Sequence, residues 1–280
     1  VGTILNRGVE LSIKSRNLMG KFQWTTDLNV ARNYNELVDI GNYTPDAVSG
    51  GTNDSRVIIG RPVGSFFLVE HSHVDPESGL PVYLDLEGNE TYDYNNDIRQ
   101  YVGDGLPDLI GGINNTFRHG NWDLSALATF SVGAKIFDSS AKRQLGVVTG
   151  WNMRDEKLDR WRQPGDIATY PRLTLDETTY SLPSGFPWWN TSLFIYDASY
   201  LRLRNLTLGY NVPLGKDSGL QNCRIAVNAT NVFTITNFPG LDPEVVRDFE
   251  NAQDRNMSPN VTYLTPPQER AITLSISTNF

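Results

Sequence analysis

The chain contains one cysteine, Cys223, so it holds no internal disulfide. The small apolar residues around it read as part of a strand and not as the setting of a nucleophile. No run of about 18 apolar residues occurs, which excludes a transmembrane helix. Cations are scarce: 24 Lys and Arg stand against 32 Asp and Glu, for a formal net charge of -8. With no basic stripe, nucleic acid is excluded as a partner. Catalytic patterns are missing too. There is no Ser-His-Asp order, no Gly-x-Ser-x-Gly and no recognisable pair of carboxylates, so no catalytic residue is assigned and no enzyme or cofactor is expected. At the start, Val1-Gly-Thr-Ile-Leu leads almost directly into a strand, without a charged or apolar leader. The expectation is a segment that begins within a longer product and has no signal peptide of its own. A mean hydropathy of -0.36 suggests a soluble chain. It does not exclude a membrane barrel, in which only every second strand residue meets lipid.

What is present is alternation. At the end of the chain Ile272, Leu274, Ile276 and Phe280 share one strand face, and Thr273, Ser275, Ser277 and Asn279 share the other. One face is oily, the other polar but uncharged, and the final residue is aromatic. This fits the closing strand of an outer-membrane barrel with Phe280 at the interface, and it also fits an edge strand of a soluble sandwich. The same design recurs upstream. Val9, Leu11 and Ile13 alternate with Glu10, Ser12 and Lys14, and Phe22, Trp24, Leu28, Val30 and Tyr34 with polar residues. A second hairpin turns at His119-Gly120-Asn121, with Leu109 to Phe117 before it and Trp122 to Ala134 after it. In the stretch from Tyr200 to Val212 the apolar phase slips near Asn205, which predicts a bulge there. The strand from Cys223 to Ile235 follows.

The connections sort by length. Turns at 17–21, 119–121 and 213–221 are short, and the stretches 36–106, 138–199 and 237–270 are long. Short turns at one end and long loops at the other are the rule of outer-membrane barrels, whereas a sandwich has no reason for such sorting. The pair 64–69 and 82–86 reads either as two membrane strands or as a hairpin inside an outer loop. Residues 85–106 read as an acidic loop, and 153–161 as a short helix.

Several motifs, taken in order, carry a resemblance. They are Gly8-Val-Glu-Leu-Ser12, Pro62-Val-Gly-Ser-Phe-Phe67, Asp75-Pro-Glu-Ser-Gly-Leu-Pro81, Pro107-Asp-Leu-Ile-Gly-Gly-Ile-Asn-Asn-Thr-Phe117, Asp197-Ala-Ser-Tyr-Leu-Arg-Leu-Arg-Asn-Leu-Thr-Leu-Gly-Tyr210, Asn228-Ala-Thr-Asn-Val-Phe233 and Gly240-Leu-Asp-Pro-Glu-Val245. The set resembles the C-terminal barrel part of SusC/RagA-like TonB-dependent outer-membrane transporters of Bacteroidetes, across nearly the whole chain. The resemblance implies an all-β transmembrane antiparallel barrel of about 22 strands with a plugged lumen, of which residues 1–280 supply about seven to nine. It implies nutrient uptake of oligosaccharides or peptides with a SusD-like surface lipoprotein as lid, in the bacterial outer membrane. The plug domain and the TonB-contact segment are expected outside this chain. An open sheet has two unpaired edges, which lipid does not tolerate, so the remaining N-terminal part of the transporter is an expected partner. The alternative is a soluble or surface-attached glycan-binding β-sandwich; a small barrel enzyme is the weakest reading.

Candidate sites are few. Trp151, Trp188, Trp189 and Tyr196 sit in the long stretch 138–199 and can stack on a substrate, or pack the loop onto itself or onto the lid. Glu10, Lys14, Arg118 and Arg224 are expected to face the lumen, where charge is tolerated. His71 and His73 form a His-x-His pair, but exposed strand histidines are the simpler reading, and no metal site is assigned. The stretch Asp85-Leu-Glu-Gly-Asn89 lacks the regular oxygen spacing of a calcium loop and reads as solvated.

Overall fold

The computed structural model describes residues 2–44, 55–145, 152–173, 190–215, 219–246 and 260–279. Phe280 and the tryptophans Trp151, Trp188 and Trp189 lie outside the described residues. In chain order the elements are β1 (Thr3–Met19), β2 (Phe22–Asp39), β3 (Ser55–Arg56), β4 (Ser65–Val74), β5 (Pro81–Leu84), β6 (Glu90–Thr91), β7 (Arg99–Asp104), β8 (Leu109–His119), β9 (Trp122–Val132), β10 (Lys135–Asp138), α1 (Ala141–Gln144), β11 (Ile195–Asp197), β12 (Tyr200–Asn211), β13 (Asn222–Thr236), β14 (Val261–Thr262) and β15 (Ala271–Asn279).

Seven of these strands form one sheet in the order β1-β2-β8-β9-β12-β13-β15, which is their order in the chain, with every pair antiparallel. Two of the short connections are tighter than the sequence suggests. Only Gly20 and Lys21 join β1 to β2, and only Gly120 and Asn121 join β8 to β9. Gly120 takes a left-handed φ of 57°, as two-residue hairpins require. Strand β2 continues to Asp39, so residues 36–39 belong to a strand and not to the loop.

Antiparallel partners share a face, so the register displays the sorting directly. One row across the sheet is Ile276, Ile225, Tyr210, Trp122, His119 and Phe22. The next row on the same face is Leu274, Val227, Leu208, Leu124, Phe117 and Trp24. A row on the other face is Thr273, Asn228, Thr207, Ser125, Thr116 and Thr25. The apolar face is the open one: Val9 is 75% exposed and Ile272 76%. A sandwich would bury those side chains against a second sheet, and none covers them among the described residues. The arrangement is that of a barrel wall, with lipid as the solvent for the oily face. Aromatic rings gather on this face at the short-turn end. Trp122 and Tyr210 lie 4.6 Å apart, Trp24 and Phe117 5.8 Å, and Phe22 and Phe117 6.1 Å. Polar atoms on this face satisfy each other: the Asn115 side-chain oxygen accepts from the Thr26 hydroxyl at 2.6 Å and the Trp24 indole N–H at 2.9 Å. The eleven residues of β8 or β9, at the usual rise and tilt, stand roughly 28 Å tall, enough to cross the hydrocarbon.

The predicted bulge occurs at Arg204. Leu203 and Asn205 pair with successive residues of β9, Ala128 and Leu127, which leaves Arg204 as the extra residue. On the other side Asn231, at φ 49°, belongs to the same irregularity in β13.

The long connections do not dangle separately. Strands β3 to β7 form a second sheet, so 64–69 and 82–86 build an outer-loop assembly and are not membrane strands. Residues 85–106 are not plain loop either, because β6 and β7 lie within them and β7 pairs with β4. A third sheet, β11-β10-β14, joins the second long connection to the third. The buried cluster Phe66, Leu68, Tyr83, Tyr94, Phe137, Phe194 and Val261 draws residues from all three long connections, so the loops share one core. The helix expected over 153–161 is a single 3-10 turn, Asp155–Leu158. The short helix α1 lies upstream of it.

An arginine in place of Leu206, in the middle of the apolar face, should cost the full-length protein about 2–4 kcal/mol, whereas Ser125→Arg on the polar face should cost well under half of that. Equilibrium unfolding in lipid vesicles measures both. Equal costs would show that the two faces do not see different solvents.

Candidate functional site

The polar face of the wall is the first part of the site. The structure places Glu10, Lys14, Arg118 and Arg224 on it. Lys14 Nζ lies 3.3 Å from Asp27, and the Arg224 guanidinium bonds Asp123. Arg118 faces Asp123 in the register. Glu10 has no ion pair among the described residues and borders two cavities, of about 630 and 530 Å³.

At the long-loop end of this face stands an ionic network that sequence reasoning missed. Its centre is Arg202, which is 2% exposed. Its guanidinium donates to Asp242 at 2.6 Å and lies 3.2 Å from Glu244. Arg204 meets both oxygens of Glu244, at 2.6 and 2.7 Å, and donates to the Gln268 side chain at 2.8 Å. Gln268 donates in turn to Glu244 at 2.9 Å, and through its backbone N–H to Asp242 at 3.1 Å. The bulge makes this possible. It brings Arg204 to the side of the sheet that Arg202 occupies, where Arg204 also donates to Thr129. Burial alone would raise the Asp242 carboxyl, but donation from Arg202 and from backbone N–H groups outweighs it and holds the carboxyl below the usual range. The available signal was the spacing itself: Arg-x-Arg in one motif and Asp-x-Glu in another offer two cations to two anions.

Two further motifs position the loops. The Asp197 side chain accepts from the Ser199 N–H at 2.8 Å and from its hydroxyl at 2.5 Å. Ser199 Oγ accepts from Gly133 N–H at 2.9 Å, and its carbonyl accepts from Thr236 at 2.8 Å. This corner ties β9, β12 and β13 together where the wall meets the loops. In the turn at 75–79, Asp75 accepts from the N–H groups of Glu77 and Ser78, both at 3.1 Å, and from the Ser78 hydroxyl. These bonds hold its carboxyl below the usual range, the Ser78 hydroxyl contributing most. Gly79, at φ 69°, leaves room for the Trp161 ring, whose N–H donates to Pro76 at 2.7 Å.

Tyr196 on β11 lies edge-on to Phe238 at 6.1 Å and packs between the shared loop core and a smaller buried cluster of Ala134, Ile136, Ala198 and Phe238, with burial raising its phenol. The Asp85 side chain accepts from the N–H groups of Glu87 and Asn89, at 2.9 and 2.8 Å, and so closes a turn on itself. His71 and His73 are separated by a register shift in the β4–β5 pair. His73 pairs with Glu90 at 3.4 Å, while His71 stands edge-on to Tyr83 at 6.4 Å with Nε2 buried and unpartnered. No group of three or more metal-ligating side chains occurs among the described residues.

A third cavity, of about 340 Å³, lies in the loop assembly between Asp138, Arg154, Gly240, Leu241, Asp242 and Thr262. Asp138 caps α1 through the N–H groups of Ser140 and Ala141 and pairs with Arg154 at 2.8 Å.

An antiparallel meander with its apolar face outward, an aromatic girdle, short turns at one end and co-folded loops at the other is the wall of a transmembrane β-barrel. No family model matches the chain. It is 31% identical over 308 residues to TonB-dependent receptor P3 of Formosa agariphila, an alignment that takes in all of this chain and 29% of that protein. It is 26% identical over 262 residues to TonB-dependent receptor SusC of Bacteroides thetaiotaomicron, covering 88% of this chain and 24% of SusC. Its fold matches the RagAB peptide importer in the open-open state with a TM-score of 0.78 at 20% identity, covering 100% of this chain and 29% of that one. The chain thus spans less than a third of the curated relatives it matches. It corresponds to the C-terminal barrel portion of SusC/RagA-like TonB-dependent receptors.

Burial, then the neighbouring His73, pushes the His71 imidazole down to about 4. The folded loops therefore prefer it neutral, and the stability it allows is present above its ordinary value of 6.5 and lost as pH falls through about 4. Amide-exchange protection of β4 in the full-length protein should drop by roughly 2–3 kcal/mol over that window and stay flat in a His71→Leu variant. A wild-type profile as flat as the variant's would mean that His71 titrates normally.

Proposed function

We propose that this chain forms part of the wall and three outer loops of a TonB-dependent, SusC-like importer in the bacterial outer membrane. The observation that carries the reading is the inside-out sorting of the seven-stranded sheet, with an oily face toward lipid and a polar, charge-bearing face toward a lumen. In this reading residues 1–280 are the C-terminal segment of the barrel domain, and the plug and the TonB-contact segment come from the rest of the transporter. A SusD-like lipoprotein covers the long-loop end, and the cargo is an oligosaccharide or a peptide. The chain acts as a conduit and not as an enzyme. Glu10, Lys14, Arg118 and Arg224 tune the lumen, Trp151, Trp188 and Trp189 serve substrate or lid contact, Tyr196 packs its loop onto the loop cores instead, and Phe280 closes the barrel.

The reading makes a physical demand. A sheet with two unpaired edges is stable in a bilayer only once other strands complete it. The full gene product should therefore fractionate with the outer membrane and run faster on an unboiled detergent gel than after boiling. The 280 residues expressed alone should give no heat-labile species in detergent. A 280-residue product that folds in water without detergent would overturn the membrane assignment.

A further inference from the structure

The ionic network around Arg202 stands between two cavities, and its two ends face different ones. Asp242 lines the cavity in the loop assembly, together with Gly240 and Leu241. Glu244, two residues further on, and Arg204 line the cavity against the polar face of the wall, with Ser12 and Tyr200. Residues 239–244 are therefore a thin partition, held to the wall by Arg202 and Arg204 and to the chain just before β15 by Gln268. Through Gln268 the same residues also fasten the far end of the third long connection.

Three features suit this partition to opening and closing. Its anchors are polar contacts to two guanidinium groups; Pro243 is buried beside them, but no apolar side chain from 239–246 belongs to the loop cores. Such contacts exchange readily for contacts with water or cargo, whereas an apolar core does not. Arg202 keeps a buried Nε with no partner although its other nitrogens are bonded. A buried donor left orphaned costs stability in the closed arrangement, and an arrangement that returns it to water removes that cost. The acceptors are shared as well: Glu244 serves Arg202, Arg204 and Gln268, so loss of one bond loosens the others.

We propose that the network of Arg202, Arg204, Asp242, Glu244 and Gln268 is a gate between the loop cavity and the lumenal cavity, closed as seen here and opened by release of residues 239–244 from the wall. The proposal rests on the transporter reading and adds to it a control point on the path of the cargo within this chain.

The test needs no knowledge of the cargo. In the full-length protein on intact cells, freed of native cysteines (Cys223→Ser here), two single reporters are labelled with a membrane-impermeant sulfonated maleimide. Ile167→Cys, at a position 93% exposed on the loops, reports orientation. Ser12→Cys, in the lumenal cavity, reports the gate. Asp242→Asn and the milder Glu244→Gln should each speed labelling at Ser12→Cys by about tenfold, the effect of losing one charged hydrogen bond from a two-state equilibrium. Asp242→Glu should restore the slow rate. Glu90→Gln, which breaks the His73 pair far from the partition, should leave it slow. All variants must keep heat-modifiable migration, which separates gating from misfolding. Unchanged labelling at Ser12→Cys in both network variants overturns the gate, and so does an equal rise in Glu90→Gln. If Ile167→Cys itself is not labelled from outside, the transporter reading fails and the gate fails with it.

Discussion

Hydrocarbon offers no hydrogen bonds, and the architecture follows from that. Every backbone N–H and C=O that crosses lipid must be paired to a neighbouring strand, and every second side chain must be apolar. The first demand produces the uninterrupted antiparallel ladder from β1 to β15. The second produces rows such as Leu274, Val227, Leu208, Leu124, Phe117 and Trp24, continuous over six strands. Where polar atoms do occur on the lipid side, as at Asn115, Thr26 and Trp24, they bond each other near the short-turn end instead of meeting the membrane alone.

The long loops obey the opposite rule. In water the apolar residues gather, and a loop that cannot bury enough surface alone does so with its neighbours. Phe66 and Tyr83 from the first connection, Phe137 and Phe194 from the second and Val261 from the third fill one core. The cap is therefore a small mixed assembly resting on the rim of the wall. It is stitched to that rim by the Asp197–Ser199 corner and by the arginines of β12.

The wall was legible in the sequence because a period of two survives in every membrane strand, and because short and long connections alternate. The bulge was legible for the same reason: the apolar phase slips between Leu203 and Leu206, and Arg204 is the extra residue. The loop layer was not legible. β6 is two residues long and β7 carries Arg99, Gln100 and Asp104, so neither shows an apolar phase, and their partners are set by tertiary contact. The expected helix over 153–161 shrank to one turn because Arg154, Lys157 and Arg160 answer to Asp138 and to the Pro171 and Lys157 carbonyls instead of to a helical face. The ionic network was not legible because Arg202 and Asp242 lie 40 residues apart; the matched Arg-x-Arg and Asp-x-Glu spacings hint at complementary charges but do not say that the two motifs meet.

That separation explains why charge is concentrated on β12 at all. A guanidinium on the lipid face would be costly, and one on the lumenal face needs a partner only if it is buried. Arg202 is buried because residues 239–244 lie over it, and those residues stay there because Arg202 and Arg204 hold Asp242 and Glu244. Burial and pairing are thus two descriptions of one closed state. When the partition lifts, both arginines return to a wet lumen, where their charge costs little, and the acids return to water with them. An apolar contact of the same area would lose its solvent-driven attraction without compensation on opening. A charged contact between two hydrated spaces is nearly balanced in both states, which is the condition for a barrier that moves.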